Sequence, residues 1–217
     1  MKGRFRVQAE TVVICAGTLH TPQLLWRTGV GKKSGVVGKR VTLHPCFRVA
    51  AMFDEDVKGW QGAMQSTYSD HFEHDAITLV GIFAPLNVMA GALPGVGPEH
   101  FARMQKMGNL AAFGGMVHDE GGGRIWPGLG REPIVTYRLA KRDKERMFQG
   151  TRILAEAFFA AGAKELYLPF YGLPVVKTPD DLKVLDPQKV PAKLAECLTF
   201  HPLGSARMGV DERTGVI

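Results

Sequence analysis

The residue pattern predicts a mixed architecture, part α/β and part α+β, on three observations. Residues 11–16 (Thr-Val-Val-Ile-Cys-Ala) form an apolar, largely β-branched run that stops at Gly17 and gives way to a short helical stretch. Such a run suits a strand buried on both faces of a sheet. Further along, strand-like segments succeed one another without long helices between them, which favours antiparallel pairing. One strong helical pattern then covers residues 143–161.

Taken in order, residues 3–7 alternate as a short strand, and 11–16 follow as the buried strand. Residues 18–21 lead into Pro22, and Gln23-Leu24-Leu25-Trp26-Arg27 reads as a short helix. Thr21 suits the N-cap, Pro22 the first helical position, where its missing N–H costs little, and Gly29 the stop. After a glycine-punctuated stretch to His44-Pro45, strands are expected at 47–53, 64–68, 77–83, 110–118 and 134–139, with turns at 94–98 and Gly121-Gly122-Gly123. In the long helix Met147, Leu154, Phe158 and Ala161 recur at helical spacing, and Gly162 stands where a C-terminal cap belongs. Shorter helical pieces are expected at 179–185 and 191–197. This divides the chain into the edge of an α/β domain (1–44), an antiparallel sheet with covering helices (45–195) and a return segment (196–217). Gly215-Val216-Ile217 has the pattern of a strand just beginning, so the chain is expected to continue.

The 217 residues are 45% hydrophobic and 22% charged, the composition of a folded globular chain. Its 26 glycines and 13 prolines predict many turns. A net charge of +6 raises the question of nucleic acid. The basic residues are nevertheless spread out: Lys32, Lys33, Lys39 and Arg40 in one place, Lys141, Arg142, Lys144 and Arg146 in another. The second group alternates with Asp143 and Glu145, as on a solvated helix face. No nucleic-acid partner is expected. No apolar run reaches membrane-spanning length. Cys15, Cys46 and Cys197, odd in number and widely spaced, form no disulfide framework and suggest a reducing, cytoplasmic compartment.

Two segments carry specific information. One runs Gly17-Thr18-Leu19-His20-Thr21-Pro22-Gln23-Leu24-Leu25-Trp26-Arg27-Thr28-Gly29-Val30-Gly31, the other His201-Pro202-Leu203-Gly204-Ser205-Ala206-Arg207-Met208-Gly209. In this order, separated by a sheet-and-helix region, they resemble the glucose–methanol–choline family of FAD-dependent oxidoreductases. Thr28 stands where that family usually has serine, and Ser205 where it usually has threonine. Residues 37–45 resemble the family's linker into its substrate domain. Gly59-Trp60-Gln61-Gly62, followed by Gln65, Ser66 and Tyr68, is similar to the branch that includes long-chain alcohol oxidases. The resemblance implies an FAD cofactor, an alcohol substrate and either oxygen or a separate carrier as electron acceptor. It also implies that residues 1–44 and 196–217 belong to the FAD-binding domain and 45–195 to the substrate domain. The family's glycine-rich pyrophosphate turn, G-x-G-x-x-G, does not occur in this sequence, nor does the second His or Asn that works opposite the histidine. On that ground the chain is expected to hold FAD poorly by itself. A rival expectation is a non-catalytic piece that acts only with a complementary polypeptide.

The chemistry of His201 can be stated independently. Oxidation of an alcohol to a carbonyl sends a hydride to the flavin while the hydroxyl proton leaves, and an imidazole, with an ordinary pKa of about 6.5, accepts that proton near neutrality. Pro202 restricts His201 to extended backbone, and Gly204 permits close approach of the chain to a cofactor. A lone His-Pro pair reads better as a structural histidine bonded within a turn; the whole segment favours the catalytic role. Ala16 and Gly17 are candidate cofactor neighbours, the alternative being a strand end that needs glycine to turn. Arg207 is expected to pair with a carboxylate and hold the His201 loop. In Asp70-His71-Phe72-Glu73-His74-Asp75 the histidines are three apart, but no third ligand has convincing spacing, so no metal is expected. Met52, Phe53, Phe83, Met89 and Met116 read as sheet core, some of them available to line a pocket.

Overall fold

The computed structural model describes residues 5–31, 33–120, 122–211 and 213–216. In chain order they form α1 (Gly17–Thr28), β1 (Lys39–Val41), β2 (Cys46–Met52), β3 (Tyr68–Ser69), β4 (Ile77–Gly81), α2 (Leu86–Ala92) and α3 (Gly97–Gln105). There follow β5 (Leu110–Val117), β6 (Gly123–Trp126), β7 (Ile134–Thr136), α4 (Lys141–Ala160) and β8 (Glu165–Tyr167). They fall into two units: residues 1–42, 123–137 and 202–217, and residues 43–122 and 138–201. The fold mixes helices with antiparallel sheets.

In the first unit β1, β6 and β7 make a three-stranded antiparallel sheet in that order. Helix α1 starts at Gly17, five residues before the start expected from Thr21 and Pro22. Pro22 therefore lies inside the helix, where it has no N–H to offer the carbonyl of Thr18 one turn back. The Ser205 hydroxyl supplies the missing donor, 2.8 Å from that carbonyl. The Thr18 hydroxyl in turn donates to the Pro202 carbonyl at 2.6 Å. This tertiary compensation lets the helix run through a proline that local rules place at its beginning. It ends as expected on Gly29, at φ +80°.

The expected strand at 11–16 does not form. No described strand pairs with it, and Val12 and Val13 are 79% and 78% exposed. A strand buried on both faces needs neighbouring strands and covering helices, and the described residues provide neither. Of the strand expected at 3–7, residues 3 and 4 lie outside the described residues and 5–7 have no regular structure.

The second unit is built on a five-stranded antiparallel sheet in the order β3-β4-β5-β2-β8. β2 pairs with β5 along its whole length, from Cys46 opposite Met116 to Met52 opposite Leu110. Side chains alternate between the faces. One face, carrying Phe47, Val49, Ile77, Leu79 and Val117, packs on Met147, Phe148 and Leu154 of α4. The other carries Ala50, Met52, Leu110 and Ala112, with Phe83 and with Met89 and Leu93 from α2 and its end. Residues 64–68 were expected as a strand; only Tyr68 and Ser69 join the ladder. The Met64 and Thr67 carbonyls nevertheless accept from the Phe83 and Gly81 amides, at 3.0 and 2.9 Å.

Helix α4 begins two residues earlier than expected, and Gly162 takes the left-handed cap at φ +96°. Asp143 is not on a solvated face. It is 1% exposed, accepts from the Glu120 amide at 3.3 Å and pairs with Arg146 at 2.9 Å. Helix and sheet meet at the Phe47 ring, which fills the space where side chains of Gly115 in β5 and Gly150 in α4 would begin. Helix propensity alone predicts that Gly150→Ala stabilises by about 1 kcal/mol. The packing predicts the opposite: a loss of about 1–3 kcal/mol through overpacking, read as a lower melting temperature. Trimming Phe47 to Leu in the same chain should recover part of it. A melting temperature raised by Gly150→Ala would refute this packing.

Candidate active site

In the second unit, the chain from Leu194 to His201 is laid against the sheet by backbone hydrogen bonds. Tyr171 donates to the Leu194 carbonyl and Glu196 to the Pro169 carbonyl, each at 2.8 Å. Cys46 and Leu198 exchange bonds at 2.8 and 3.2 Å. The Thr199 hydroxyl donates to the Leu43 carbonyl. The Arg48 guanidinium, reaching from β2, holds the Glu196 carboxylate at 3.0 and 3.3 Å, with only 12% and 21% of the two side chains exposed.

This attachment ends at His201. Its side chain is exposed and stands with Phe200 at the edge of a hollow of about 210 Å³. The hollow is lined by Val80 and Ile82 near β4, by Gly114 and Met116 of β5, and by Cys46 and Gln65. Gly114 keeps it open: a Cβ there would stand 2.9 Å from Ile82 Cδ1. Of the methionine and phenylalanine positions read as sheet core, Met52, Phe83 and Met89 are buried, Phe53 packs beside α4, and Met116 lines the hollow.

The His201 carbonyl is bonded to His44 Nδ1 at 3.2 Å. A carbonyl only accepts, so Nδ1 carries the proton. His44 has φ +47°, a conformation uncommon outside glycine. Asp119 holds it there, accepting from the His44 amide at 3.1 Å and the Leu43 amide at 3.2 Å. The His118 ring stands edge-on to His44 at 6.1 Å and its Nε2 meets the Thr78 hydroxyl at 2.9 Å. The sequence pattern singled out neither His44 nor Asp119. His44 carried a signal only as part of a His-Pro pair, and Asp119, 75 residues away, carried none.

The remaining candidates lie in the first unit. Ala16 caps α1 and is half-exposed; Gly17 has φ +69° and open space where a Cβ would stand. Residues 202–205 are fastened there: Leu203 exchanges bonds with Thr42 at 3.1 and 2.9 Å, and Gly38 donates to the Ser205 carbonyl at 2.6 Å. Gly204, at φ +83°, leaves no room for a Cβ against the Arg40 carbonyl. Arg207 makes no ion pair with a described carboxylate; its carbonyl accepts from Val216 at 2.8 Å. Among the described residues no three His, Cys, Asp or Glu side chains are grouped to hold a metal ion. His71 packs on Phe72, and His74 lies 3.5 Å from Asp75.

Two expected outcomes follow. Ser205→Ala strands the Thr18 carbonyl and should cost about 1–3 kcal/mol, measured by denaturant unfolding. Adding Pro22→Ala returns an N–H to that carbonyl and should recover most of the loss; equal losses in the single and double variants would refute the pairing. Burial pushes the Cys46 thiol from 9.0 up to about 11, with Cys197 adding to the rise against an opposing backbone hydrogen bond from Phe200. An unfolded thiol ionises near 9.0 and the folded one does not. The contribution of Cys46 to stability is thus complete below pH 9.0 and lost as pH rises through 11. Iodoacetamide at pH 8 should label exposed Cys15 well before Cys46, as mass spectrometry would show.

A GMC oxidoreductase family profile matches residues 1–46. An uncharacterized GMC-type oxidoreductase of Mycobacterium tuberculosis is 32% identical over 208 residues, covering 95% of this chain and 33% of that protein. One of Sinorhizobium fredii is 30% identical over 197 residues, 90% of this chain and 38% of that protein. A long-chain-alcohol oxidase of Arabidopsis thaliana is 32% identical over 173 residues, 75% of this chain and 22% of that protein. The chain thus spans between 22% and 38% of the length of these relatives. No described helix is long and apolar enough to cross a membrane. With both signature segments in place and relatives similar over nearly its whole length, the chain belongs to the glucose–methanol–choline (GMC) oxidoreductase family.

Proposed function

We propose that the chain forms the substrate side of an FAD-dependent oxidoreductase that oxidises the CH–OH group of an alcohol to a carbonyl. The observation that carries this reading is His201, exposed at the edge of an apolar hollow on the central sheet and bonded through its carbonyl to His44. The hollow receives the carbon skeleton, and the imidazole accepts the hydroxyl proton or a hydrogen bond from it. His44 and Asp119 fix the backbone from which the ring projects. FAD, when bound, supplies the hydride acceptor. Ala16 and Gly17 are the residues that would lie beside it, and the bare, left-handed Gly17 backbone fits the close approach of a cofactor. The relatives named as long-chain-alcohol oxidases favour oxygen as electron acceptor over a separate carrier.

A second reading is a piece that works only with a complementary polypeptide. The exposure of Val12, Val13 and Ile14 favours it, since β-branched runs of this kind belong inside sheets. Flavin binding by a longer version separates the two: extended on both sides, it should turn yellow with FAD as one chain on the first reading, and only once a complementary polypeptide is added on the second. To test the reaction, a version extended on both sides is loaded with FAD and His201 is replaced by alanine. Alcohol-dependent flavin reduction should fall by about 10²- to 10⁴-fold with the flavin still bound. Undiminished reduction would remove His201 from the chemistry.

A further inference from the structure

The hollow at His201 has an apolar floor, formed by Val80, Ile82, Gly114 and Met116. Hydrogen-bonding side chains reach it at three places, Cys46, Gln65 and His201. The Cys46 thiol is committed, donating to the His44 carbonyl at 3.2 Å. The Gln65 amide is not: it makes no hydrogen bond among the described residues. No carboxylate, lysine or arginine among those residues lines the hollow.

Gln65 and His201 come to this space from opposite edges of the strands β4, β5 and β2, which neighbour one another in that order. The chain that carries Gln65 runs along the outer side of β4, where the Met64 and Thr67 carbonyls accept from the Phe83 and Gly81 amides. His201 ends the segment bonded to Cys46, on the far side of β2. Three neighbouring strands make a floor about 10 Å across. A ligand group that meets the Gln65 amide therefore lies several bonds from the one that meets His201.

The loop behind Gln65 is anchored before and after it. The Val57 and Lys58 amides both donate to the Gly108 carbonyl at 2.8 Å. The Trp60 ring stands edge-on to Phe83 at 6.1 Å, and Gly59 lies so close to the same ring that a Cβ has no room. Gln65 thus projects from backbone that is already fixed, which lowers the ordering cost of using it in binding.

We propose that Gln65 is a specificity-determining residue that binds a second, neutral oxygen of the substrate. The hollow then takes alcohols that carry a further hydroxyl or carbonyl several carbons from the reacting one. This rests on the reading of His201 as the residue that faces the reacting hydroxyl. A carboxamide offers both donors and an acceptor, so it serves a hydroxyl and a carbonyl alike. A charged group would find no counter-charge in these walls. A methyl group in the oxygen's place would cover the amide and leave it without a partner, which is how a polar wall rejects an apolar analogue.

The test compares 1-hexanol with 1,6-hexanediol by ligand-observed NMR titration. It uses the version extended on both sides, loaded with FAD that is kept reduced so that neither alcohol is consumed. Gln65→Leu should weaken the diol relative to the monoalcohol about 2- to 10-fold. Gln65→Glu keeps an acceptor oxygen at the same reach and should retain most of the wild-type ratio. Gln65 is exposed, so both variants should keep the wild-type melting temperature. A ratio unchanged by Gln65→Leu, or lowered equally by both variants, overturns the proposal. Undiminished flavin reduction by the His201→Ala enzyme, with the Gln65→Leu effect present, would sink the reading of His201 and leave this assignment standing.

Discussion

The exchange of backbone bonds between Cys46 and Leu198 ties residues 194–201 to the start of β2, and the position of His201 follows from it. The residues after β8 have little regular structure of their own beyond short 3-10 turns at Pro179–Val184 and Ala192–Leu194. Their backbone groups need partners, and those near β2 find them on the Cys46 end that β8 leaves uncovered, since β8 pairs only with residues 50–52. The Arg48–Glu196 pair adds direction more than stability. Removing either member would leave a charge in a poorly solvated place, so the pair selects one register for the segment.

The sheet that carries this segment is asymmetric because of glycine. On one face Gly115, with Gly150 of α4, admits the Phe47 ring and brings helix and sheet into contact. On the other, Gly114 leaves the floor beneath His201 low. Adjacent residues of one strand thus serve packing and cavity in turn, because successive positions face opposite sides. A strand of uniformly large residues would have filled the hollow.

Patterns that depend on local chemistry were legible in the sequence. β2, β4, β5 and α4 each bury a periodic set of side chains, and Gly29 and Gly162 end helices in left-handed conformations as glycine allows. The elements missed are those whose local signals point elsewhere. Helix α3 opens on Gly97-Pro98, a pair read as a turn although proline also starts helices. Helix α2 has seven residues between Pro85 and the Pro94-Gly95 pair, too few for a period to emerge. β8, three residues long, exists because β2 offers an edge to pair with. Asp143 looked solvated among its charged neighbours, and only the fold brings the Glu120 amide to it. At the site, His201 was legible from its segment. His44 and Asp119 were not, because their link is a backbone conformation that no side-chain pattern encodes.

The two signature segments resemble a family as a pair, and the structure gives the pairing a chemical reason. Pro22 in the first removes one hydrogen-bond donor from the middle of α1; Ser205 in the second returns one to the same carbonyl. The hydroxyl is what matters at position 205, so the exchange of serine for the family's usual threonine keeps the function. Ser205 holds φ +59°, a left-handed backbone that a β-branched side chain tolerates less well. The serine is therefore the less strained way to make the bond, and it leaves the chain from Pro202 to Ser205 fastened at both its ends to one residue of α1's first turn, through the Thr18 hydroxyl and the Thr18 carbonyl.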